Sequence, residues 1–260
     1  MKEGKILSLS VLILAKNEED NIKECIESIL FADEIIVIDD YSTDATAAIA
    51  ESLGAKVVKR AMNGDWGAQQ TFAINQANCE WIYFIDADER MTPELAEEVK
   101  KAVILNEKYT YKNSRLNHFW GQELRHGGWY PDFGIHLLPK AGSYVTGFVH
   151  PQIHHDYPEK KINAHLLHYP YRSWEHYFNK LNRYTQLAAE KNKAKGKKAN
   201  FFFDIIIRPW VAFFKMYILK SGWRDGKIGF ILAVFHYFYT MAKYVKLYYY
   251  NKQGNTKGVK

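Results

Sequence analysis

The chain has 260 residues, of which 47% are hydrophobic and 25% charged, a composition that excludes a disordered chain and allows one α/β domain with a further segment. The net charge of +6 is unevenly distributed: residues 1–150 carry 15 Lys and Arg against 23 Asp and Glu, whereas residues 151–260 carry 20 against 6. The resulting net charges of −8 and +14 indicate an anionic partner for the second half, either a nucleic acid or a membrane.

The two cysteines and the N-terminal run both suggest a reducing compartment. Cys25 and Cys79 lack the spacing of a disulfide or zinc framework, so we expect two buried free thiols. The apolar run from Ile6 to Ala15 is short and has no small-residue cleavage site, and it predicts a first β-strand, not a signal peptide. We therefore expect the catalytic part to be cytoplasmic.

Strands and helices are predicted to alternate through the first hundred residues. Continuous apolar runs bounded by polar turns predict buried strands, and apolar residues three and four apart predict helices. The predicted strands are 9–15, 34–38, 56–59 and 81–85, and the predicted helices are 21–30, one opened by Ser42-Thr43-Asp44, 66–76 and one capped by Thr92. This order predicts a mostly parallel sheet with helices on both faces.

The remaining chain changes character twice. Residues 110–170 predict short strands and loops that cover the ligand-binding edge of the sheet. From Ser173 onward the chain is helical, basic and aromatic, and its longest uncharged run, residues 228–242, has 15 residues, whereas a spanning helix needs about 20. We therefore predict a segment that docks on an anionic membrane surface, with a partner-binding helix face as the alternative. Long aliphatic runs among its aromatics make nucleic acid an unexpected partner.

Polar residues follow three of the predicted strands: Asn17-Glu18, Asp39-Asp40 and Asp86-Ala87-Asp88. In open α/β sheets ligands bind outside the carboxyl ends of the strands, so these three groups should meet at one edge. Two carboxylates one residue apart, Asp86 and Asp88, can share Mg²⁺ or Mn²⁺ together with the phosphates of a substrate. Solvated turn residues and helix caps are the alternative interpretation of these acids.

The same stretches carry a family resemblance. Residues 14–19, 37–46 and 84–89 resemble the family-2 glycosyltransferases of the GT-A fold in order and spacing. Residues 127–132, 168–173 and 180–184 resemble the bacterial lipopolysaccharide-core β-glucosyltransferase branch. The resemblance implies a GT-A-like domain over residues 5–170 and a helical membrane-docking segment over residues 171–260.

The resemblance also implies roles for individual residues. Asp40 would bind the nucleobase, with Glu18 near the nucleoside. Asp86 would contact the ribose or the metal, and Asp88 would ligate the metal. Apart from the resemblance, Asn17 and Asp39 at the strand ends are candidate contacts of the nucleotide sugar, and Gln69, at the start of a helix, could line the nucleotide pocket or pack on the sheet. The implied reaction is inverting transfer of a hexose, glucose from UDP-glucose, to a lipid-linked or lipopolysaccharide-core acceptor at the cytoplasmic face of the bacterial inner membrane.

The chain departs from the branch pattern at two positions. Pro151 stands where the branch has the Glu of Val-His-Glu, and His136 stands where it tends to have Arg. We take Asp132 as the substitute candidate for the general base, with Asp156 as a second choice. Two other functions stay open: a polyprenyl-phosphate sugar synthase, and a non-catalytic membrane-bound binder of nucleotide sugars, which the presence of Pro151 would explain.

Histidines and arginines between residues 150 and 183 are further candidates for ligand contacts. His150, His154 and His155 do not have the spacing of a zinc site. Arg172 and Arg183 could reach an anionic acceptor or a diphosphate, or could be solvated helix charges.

Overall fold

The computed structural model describes residues 8–148, 151–171 and 173–255, with side chains up to residue 252. In chain order the elements are β1 (Leu9–Ala15), α1 (Ile22–Glu27), β2 (Glu34–Asp39), α2 (Thr46–Ser52), β3 (Lys56–Lys59), α3 (Trp66–Gln76), β4 (Trp81–Asp86), β5 (Glu89–Met91), α4 (Pro93–Leu105), β6 (Thr110–Phe119), β7 (Gln122–Leu124), β8 (Asp132–Pro139), β9 (Tyr144–Thr146), β10 (Gln152–His154), β11 (Glu159–His168), α5 (Trp174–Ala194), α6 (Arg208–Phe214) and α7 (Gly226–Asn255). Shorter helical turns are Phe201–Ile207, Lys215–Leu219 and Gly222–Asp225.

The chain forms two compact units. The first runs up to Leu116 and resumes over Asp132–His168, and the second contains Asn117–Pro131 and everything from Tyr169 onward. Residues 117–131 thus belong with the C-terminal unit. The division into a catalytic domain up to residue 170 and a membrane-docking segment after it stays a prediction.

The first unit is built on a mixed sheet. Among the described residues its strand order is β3-β2-β1-β4-β8-β6-β11-β5. The neighbours β3, β2, β1 and β4 are parallel, whereas β8 pairs antiparallel with β4 and with β6. The region predicted to cover the ligand edge therefore extends the sheet sideways through β6, β8 and β11, because its strands pair with the sheet edge.

Helices cover both faces of the parallel part, as the sequence predicts. Alternate residues of β1 point to opposite faces, so Val11 packs with the cluster that includes α1 and α4, and Leu12 packs with the cluster that includes α3. Burial on both faces explains why these strands are continuous apolar runs. The result is an α/β fold of GT-A type, with a mixed sheet between helices that is parallel over β3, β2, β1 and β4.

A polar network joins the amino ends of the central strands. Glu34 accepts hydrogen bonds from the Ser10 hydroxyl (2.5 Å) and from the backbone N–H (2.9 Å) and side-chain amide (2.6 Å) of Asn78. Burial would raise the pKa of Glu34, but these hydrogen bonds outweigh it and hold the pKa below its usual range. The network therefore favours the ionised carboxylate.

The second unit is helical around an aromatic core. Its buried cluster includes Phe119, Tyr177, Met216 and Leu232. The buried carboxylate of Asp225 accepts hydrogen bonds from the backbone N–H groups of Arg125 (3.3 Å) and His126 (2.9 Å) and lies 2.7 Å from the His126 ring nitrogen Nδ1. These contacts fix the segment 117–131 to the helices of its own unit.

The stretch Gly222–Lys252, which includes most of α7, is long and apolar enough to cross a membrane, judged by length and composition alone, and 22% of its apolar window is buried. The prediction of an interfacial segment was based on the uncharged run of 15 residues, 228–242. In the structure, helical residues continue this run on both sides. A membrane role of this helix stays a prediction.

Several predicted boundaries are confirmed and others are wrong. The bounds of β1, β3 and α3 agree with the prediction, and the Thr92 hydroxyl caps α4 by accepting the N–H of Leu95. The helix expected to open at Ser42-Thr43-Asp44 begins at Thr46. The Ser42 hydroxyl accepts the N–H of Asn17 in the loop after β1, and the Asp44 carboxylate accepts the N–H groups of Thr46 (3.0 Å) and of Glu19 (3.2 Å). Cys25 is buried as expected, but Cys79 is only half-buried.

Candidate active site

Two loops at the carboxyl end of the parallel strands, one after β1 and one after β2, are tied together by hydrogen bonds. The N–H of Asn17 donates to the Ser42 hydroxyl (2.9 Å), and the Asn17 side-chain oxygen accepts the N–H of Thr43 (2.8 Å). The N–H of Glu18 donates to the Thr46 hydroxyl (2.7 Å). Asn17 and Glu18 thus shape one rim of the site, and their contacts with a nucleoside stay predictions.

The two adjacent carboxylates at the end of β2 have different surroundings. Asp39 is fully buried and accepts the N–H of Ser42 at 3.2 Å, so it holds the turn. Asp40 accepts hydrogen bonds from Lys16 Nζ (2.8 Å) and from the N–H of Met62 (3.0 Å). Burial would raise the pKa of Asp40, but these hydrogen bonds and the charge of Lys16 outweigh it and lower the pKa. Asp40 is therefore ionised at neutral pH, and it is the better placed of the two to meet a ligand.

Gln69 is buried and makes its contacts with Arg60. Its side-chain amide donates to the Arg60 carbonyl (2.9 Å), and its side-chain oxygen accepts from the Arg60 guanidinium. The guanidinium also lies 4.8 Å from the centre of the Phe72 ring. Gln69 therefore fixes Arg60, a residue directly after β3 that sequence reasoning missed, and a direct contact of Gln69 with a nucleotide stays a prediction.

The turn after β4 presents two carboxylates, each with a basic neighbour. The side chain of Asp86 is 51% exposed and lies 3.4 Å from the Arg115 guanidinium. The side chain of Asp88 is 21% exposed and lies 3.5 Å from His168 Nε2. Burial would lower the pKa of His168, but the hydrogen bond to Asp88 and the surrounding acids outweigh it and raise the pKa. Both carboxylates thus remain reachable from solvent, and each has a basic side chain beside it.

A buried glutamate, Glu89, holds this turn through a hydrogen bond and an ion pair. Glu89 is fully buried, accepts the N–H of Asp86 (2.9 Å) and forms an ion pair with Arg115 Nε. Burial raises the pKa of Glu89 to about 7, and the positive charge of Arg115 offsets only part of that effect. Because it binds both Asp86 and Glu89, Arg115 connects β6 to the turn that carries the predicted metal ligands.

Sequence reasoning missed Glu89, Arg115 and His168. Glu89 directly follows Asp86-Ala87-Asp88, so an acid next to the motif was available as a signal. Arg115 and His168 lie on β6 and β11, and only the long-range pairing of those strands brings them to the turn.

The candidate base Asp132 comes to the same place. It is the first residue of β8, it is exposed, and its register partner on β6 is Arg115. The nearby His136 is buried and stacks on Tyr83, with ring centres 5.8 Å apart. Burial, together with the charge of Arg115, lowers the pKa of His136 to about 3, so its imidazole is neutral. His136 therefore does not carry the positive charge that the Arg of the resembled branch would have at this position. Arg115 supplies a positive charge beside it.

Asp86 and Asp88 fit a hard divalent cation by their chemistry. Carboxylate oxygens are the ligands that Mg²⁺ and Mn²⁺ prefer, and two of them leave coordination positions for phosphate oxygens and water. Over residues 8–148, 151–171 and 173–252, no group of three His, Cys, Asp or Glu side chains is arranged to hold a metal. Phosphate oxygens of a substrate and water molecules could complete the coordination shell of such a cation.

The remaining candidate residues contribute less. His150 and Arg172 lie outside the described residues. His154 is at the end of β10, and its ring bonds to the Thr146 hydroxyl at 2.6 Å. Arg183 is exposed on α5, and its role stays a prediction.

Comparison with known proteins identifies the family of the chain. The model of the family described as "Glycosyl transferase family 2" matches residues 10–194. The lipopolysaccharide core biosynthesis glycosyltransferase LpsC of Rhizobium meliloti is 30% identical over 253 residues, which cover 93% of this chain and 92% of that protein. An uncharacterized glycosyltransferase of Rickettsia typhi is 28% identical over 92% of this chain and 86% of its own length.

Two solved structures show looser likenesses. Mannosyl-3-phosphoglycerate synthase from Rubrobacter xylanophilus is 17% identical, with a TM-score of 0.47 over 73% of this chain and 75% of that one. Glucosyl-3-phosphoglycerate synthase from Mycobacterium tuberculosis, in complex with Mn²⁺, UDP and glucosyl-3-phosphoglycerate, is 20% identical, with a TM-score of 0.41 over 54% of this chain and 61% of that one. Nothing about substrate follows from these two likenesses. The family match covers most of the chain, and the protein belongs to glycosyltransferase family 2.

Proposed function

We propose that this family-2 glycosyltransferase transfers a hexose, glucose from UDP-glucose, with inversion to a lipid-linked or lipopolysaccharide-core acceptor, and that it depends on Mg²⁺ or Mn²⁺. The observation that carries the proposal is the meeting of Asp40, Asp86 and Asp88 at one edge of the sheet. Asp40 follows β2 and Asp86 ends β4, and these strands flank β1 in register. Adjacent strands lie about 4.8 Å apart, so the two ends are separated by about 10 Å, a span that a nucleoside diphosphate can bridge.

The chain's own residues divide the work of binding the donor. Ionised Asp40, held by Lys16, would accept a hydrogen bond from an N–H of the base. Asp86 and Asp88 would hold the cation, and Arg115 keeps the turn in place through Asp86 and Glu89. When bound, the cation neutralises the charge that develops on the departing diphosphate.

The transfer step requires a base. In an inverting reaction the acceptor hydroxyl oxygen bonds to the anomeric carbon while the bond from that carbon to the diphosphate oxygen breaks, and the hydroxyl proton passes to a carboxylate. Asp132 is exposed and paired in register with Arg115, which supports it as this base. Its position would compensate for Pro151, where the resembled branch has Glu.

A relative supports the proposed acceptor, and the surface of the second unit supports the proposed location. The relative from Rhizobium meliloti is named for lipopolysaccharide core biosynthesis, which supports an acceptor of that class. The second unit exposes large apolar side chains, among them Phe203 (65%), Trp210 (51%) and Leu219 (78%), in a region rich in Lys and Arg. Such a surface suits anionic lipid headgroups, which supports a peripheral position at the cytoplasmic face of the inner membrane.

A transfer assay tests the proposal. Purified full-length chain with Mn²⁺ is offered UDP-glucose and, in separate reactions, lipopolysaccharide-core oligosaccharide or polyprenyl phosphate. Transfer to the core acceptor supports the proposal, and transfer to polyprenyl phosphate alone supports the synthase instead. UDP binding without turnover on either acceptor would indicate a non-catalytic binder.

A variant of the candidate base tests the transfer step. Asp132→Asn should lower turnover at least a hundredfold with donor affinity unchanged. Activity near that of the wild type would exclude Asp132 as the base.

A further inference from the structure

The second unit contains two open cavities that share the side chains of Trp129 and His236. The first has a volume of about 340 Å³ and includes Gly128, Lys215 and Lys220 in its lining. The second has a volume of about 390 Å³ and is lined mainly by aromatic and aliphatic side chains. Nothing in the donor site described above uses either cavity.

The first cavity concentrates positive charge. Lys215 and Lys220 both line it, and among the described residues neither forms an ion pair with an acid. Lys220 lies directly over Gly128, where an added Cβ would be 2.4 Å from the Lys220 ammonium nitrogen. The N–H of Gly127 donates to the Lys220 carbonyl (2.9 Å), which holds this lysine against the glycine pair. The absence of a side chain at Gly128 is therefore what makes room for the ammonium group.

An unpaired donor belongs to Trp129, which lines the same cavity as these lysines. The indole N–H of Trp129 is shielded from solvent and has no hydrogen-bond acceptor among the described residues. Buried donors are almost always paired, so an orphaned one in a cavity wall is able to donate to a ligand that enters the cavity. Two ammonium groups and an indole N–H together form a donor set for an anion with several oxygens, such as a phosphate.

The second cavity supplies a different chemistry. Its lining includes Tyr171, Tyr177, Leu232 and Phe235, which offer apolar contact area. Because Trp129 and His236 line both cavities, one molecule with a charged end and an apolar body could occupy both. Pockets of this kind bind small molecules through apolar walls and a few placed polar groups.

We propose that these two cavities bind an amphiphilic phosphate, with its phosphate group at Lys215, Lys220 and the Trp129 indole, and its apolar part among the aromatic side chains. The identification of this ligand with the lipid-linked acceptor rests on the proposed function, whereas the binding itself does not.

Calorimetric titration of the full-length chain tests the proposal. The probes are decyl phosphate below its micelle concentration, inorganic phosphate, and decyl maltoside as an uncharged amphiphile. Decyl phosphate should bind at least tenfold more tightly than either of the others. Lys220→Ala and Trp129→Phe, which keeps the ring but removes the N–H, should each weaken decyl phosphate about tenfold. Lys220→Arg should retain binding, and Lys227→Ala, which removes one exposed charge outside the cavities, should have no effect.

Three results would overturn the proposal: wild-type affinity in both Lys220→Ala and Trp129→Phe, equal weakening by Lys227→Ala, or inorganic phosphate binding as tightly as decyl phosphate. The second would indicate general charge attraction, and the third a free phosphate site without a role for the aromatic cavity. UDP titration in the same samples separates the claims, because failure to bind UDP would contradict the proposed function and leave the phosphate site standing.

Discussion

Replacing Asp40 by Asn separates ligand binding from folding. The variant keeps the shape of the side chain, so the Met62 N–H retains an acceptor, but the charge facing Lys16 is lost. Lys16 is 57% exposed, and ion pairs with such a partner stabilise a fold by at most about 1 kcal/mol. A hydrogen bond from a nucleobase to a carboxylate contributes about 1.5–3 kcal/mol. Asp40→Asn should therefore weaken UDP binding by about 10- to 100-fold while the free energy of unfolding changes by less than about 1 kcal/mol.

Isothermal titration with UDP and chemical denaturation measure the two quantities on the same sample. Glu27→Gln is the matched control, because this exposed carboxylate of α1 also has a lysine partner, Lys23 at 3.9 Å, and does not belong to the strand ends that form the candidate site. Unchanged UDP affinity in Asp40→Asn, or a similar loss in Glu27→Gln, would refute the assignment of Asp40 to the base.

Three further predictions concern stability and membrane binding. The pKa of Glu34 is lowered in the fold, so at pH values above its ordinary pKa of 4.5 the wild type should have a larger free energy of unfolding than Glu34→Gln. This difference should vanish as the pH falls through the lowered pKa. Denaturation of both proteins between about pH 3 and pH 7 measures it, and a difference that stays constant over this range would contradict the prediction. Gln69→Ala leaves Arg60 groups unpaired and should cost about 1–3 kcal/mol of unfolding free energy, clearly more than Gln70→Ala, whose side-chain oxygen has no partner among the described residues. Phe203→Ser should reduce sedimentation with anionic vesicles about tenfold, whereas Leu105→Ser, equally exposed on the first unit, should not; equal effects would contradict docking through the second unit.

The parallel half of the fold could be predicted because its signals are local. Strands buried on both faces are continuous apolar runs, and Thr92-Pro93 marks the start of α4 by capping chemistry. The antiparallel half could not be predicted, since β6, β8 and β11 find their partners through long-range pairing. The predicted start of α2 was wrong, because Ser42 and Thr43 form hydrogen bonds with Asn17 and not with the N-terminus of the helix.

The candidate site was predictable to the same extent. Asp40 follows β2, Asp86 ends β4 and Asp88 lies in the turn after β4, so the sheet topology alone brings these segments to one edge. The roles of Arg115 and His168 depend on strand register, which the sequence does not disclose. Contacts with a nucleotide at Asn17, Glu18, Asp39 and Gln69 stay predictions, and in the structure these side chains mainly hold the surrounding turns.

Mn²⁺-dependent binding of UDP tests the central claim most directly. Titrating UDP into wild type and Asp88→Asn, each with and without Mn²⁺, isolates the contribution that the cation makes through this carboxylate. The wild type should bind UDP at least tenfold more tightly with Mn²⁺, and Asp88→Asn should lose that increment while keeping its folded spectrum and its metal-free affinity. A wild type indifferent to Mn²⁺, or an Asp88→Asn variant with the full increment, would contradict a metal-assisted donor site at this edge of the sheet.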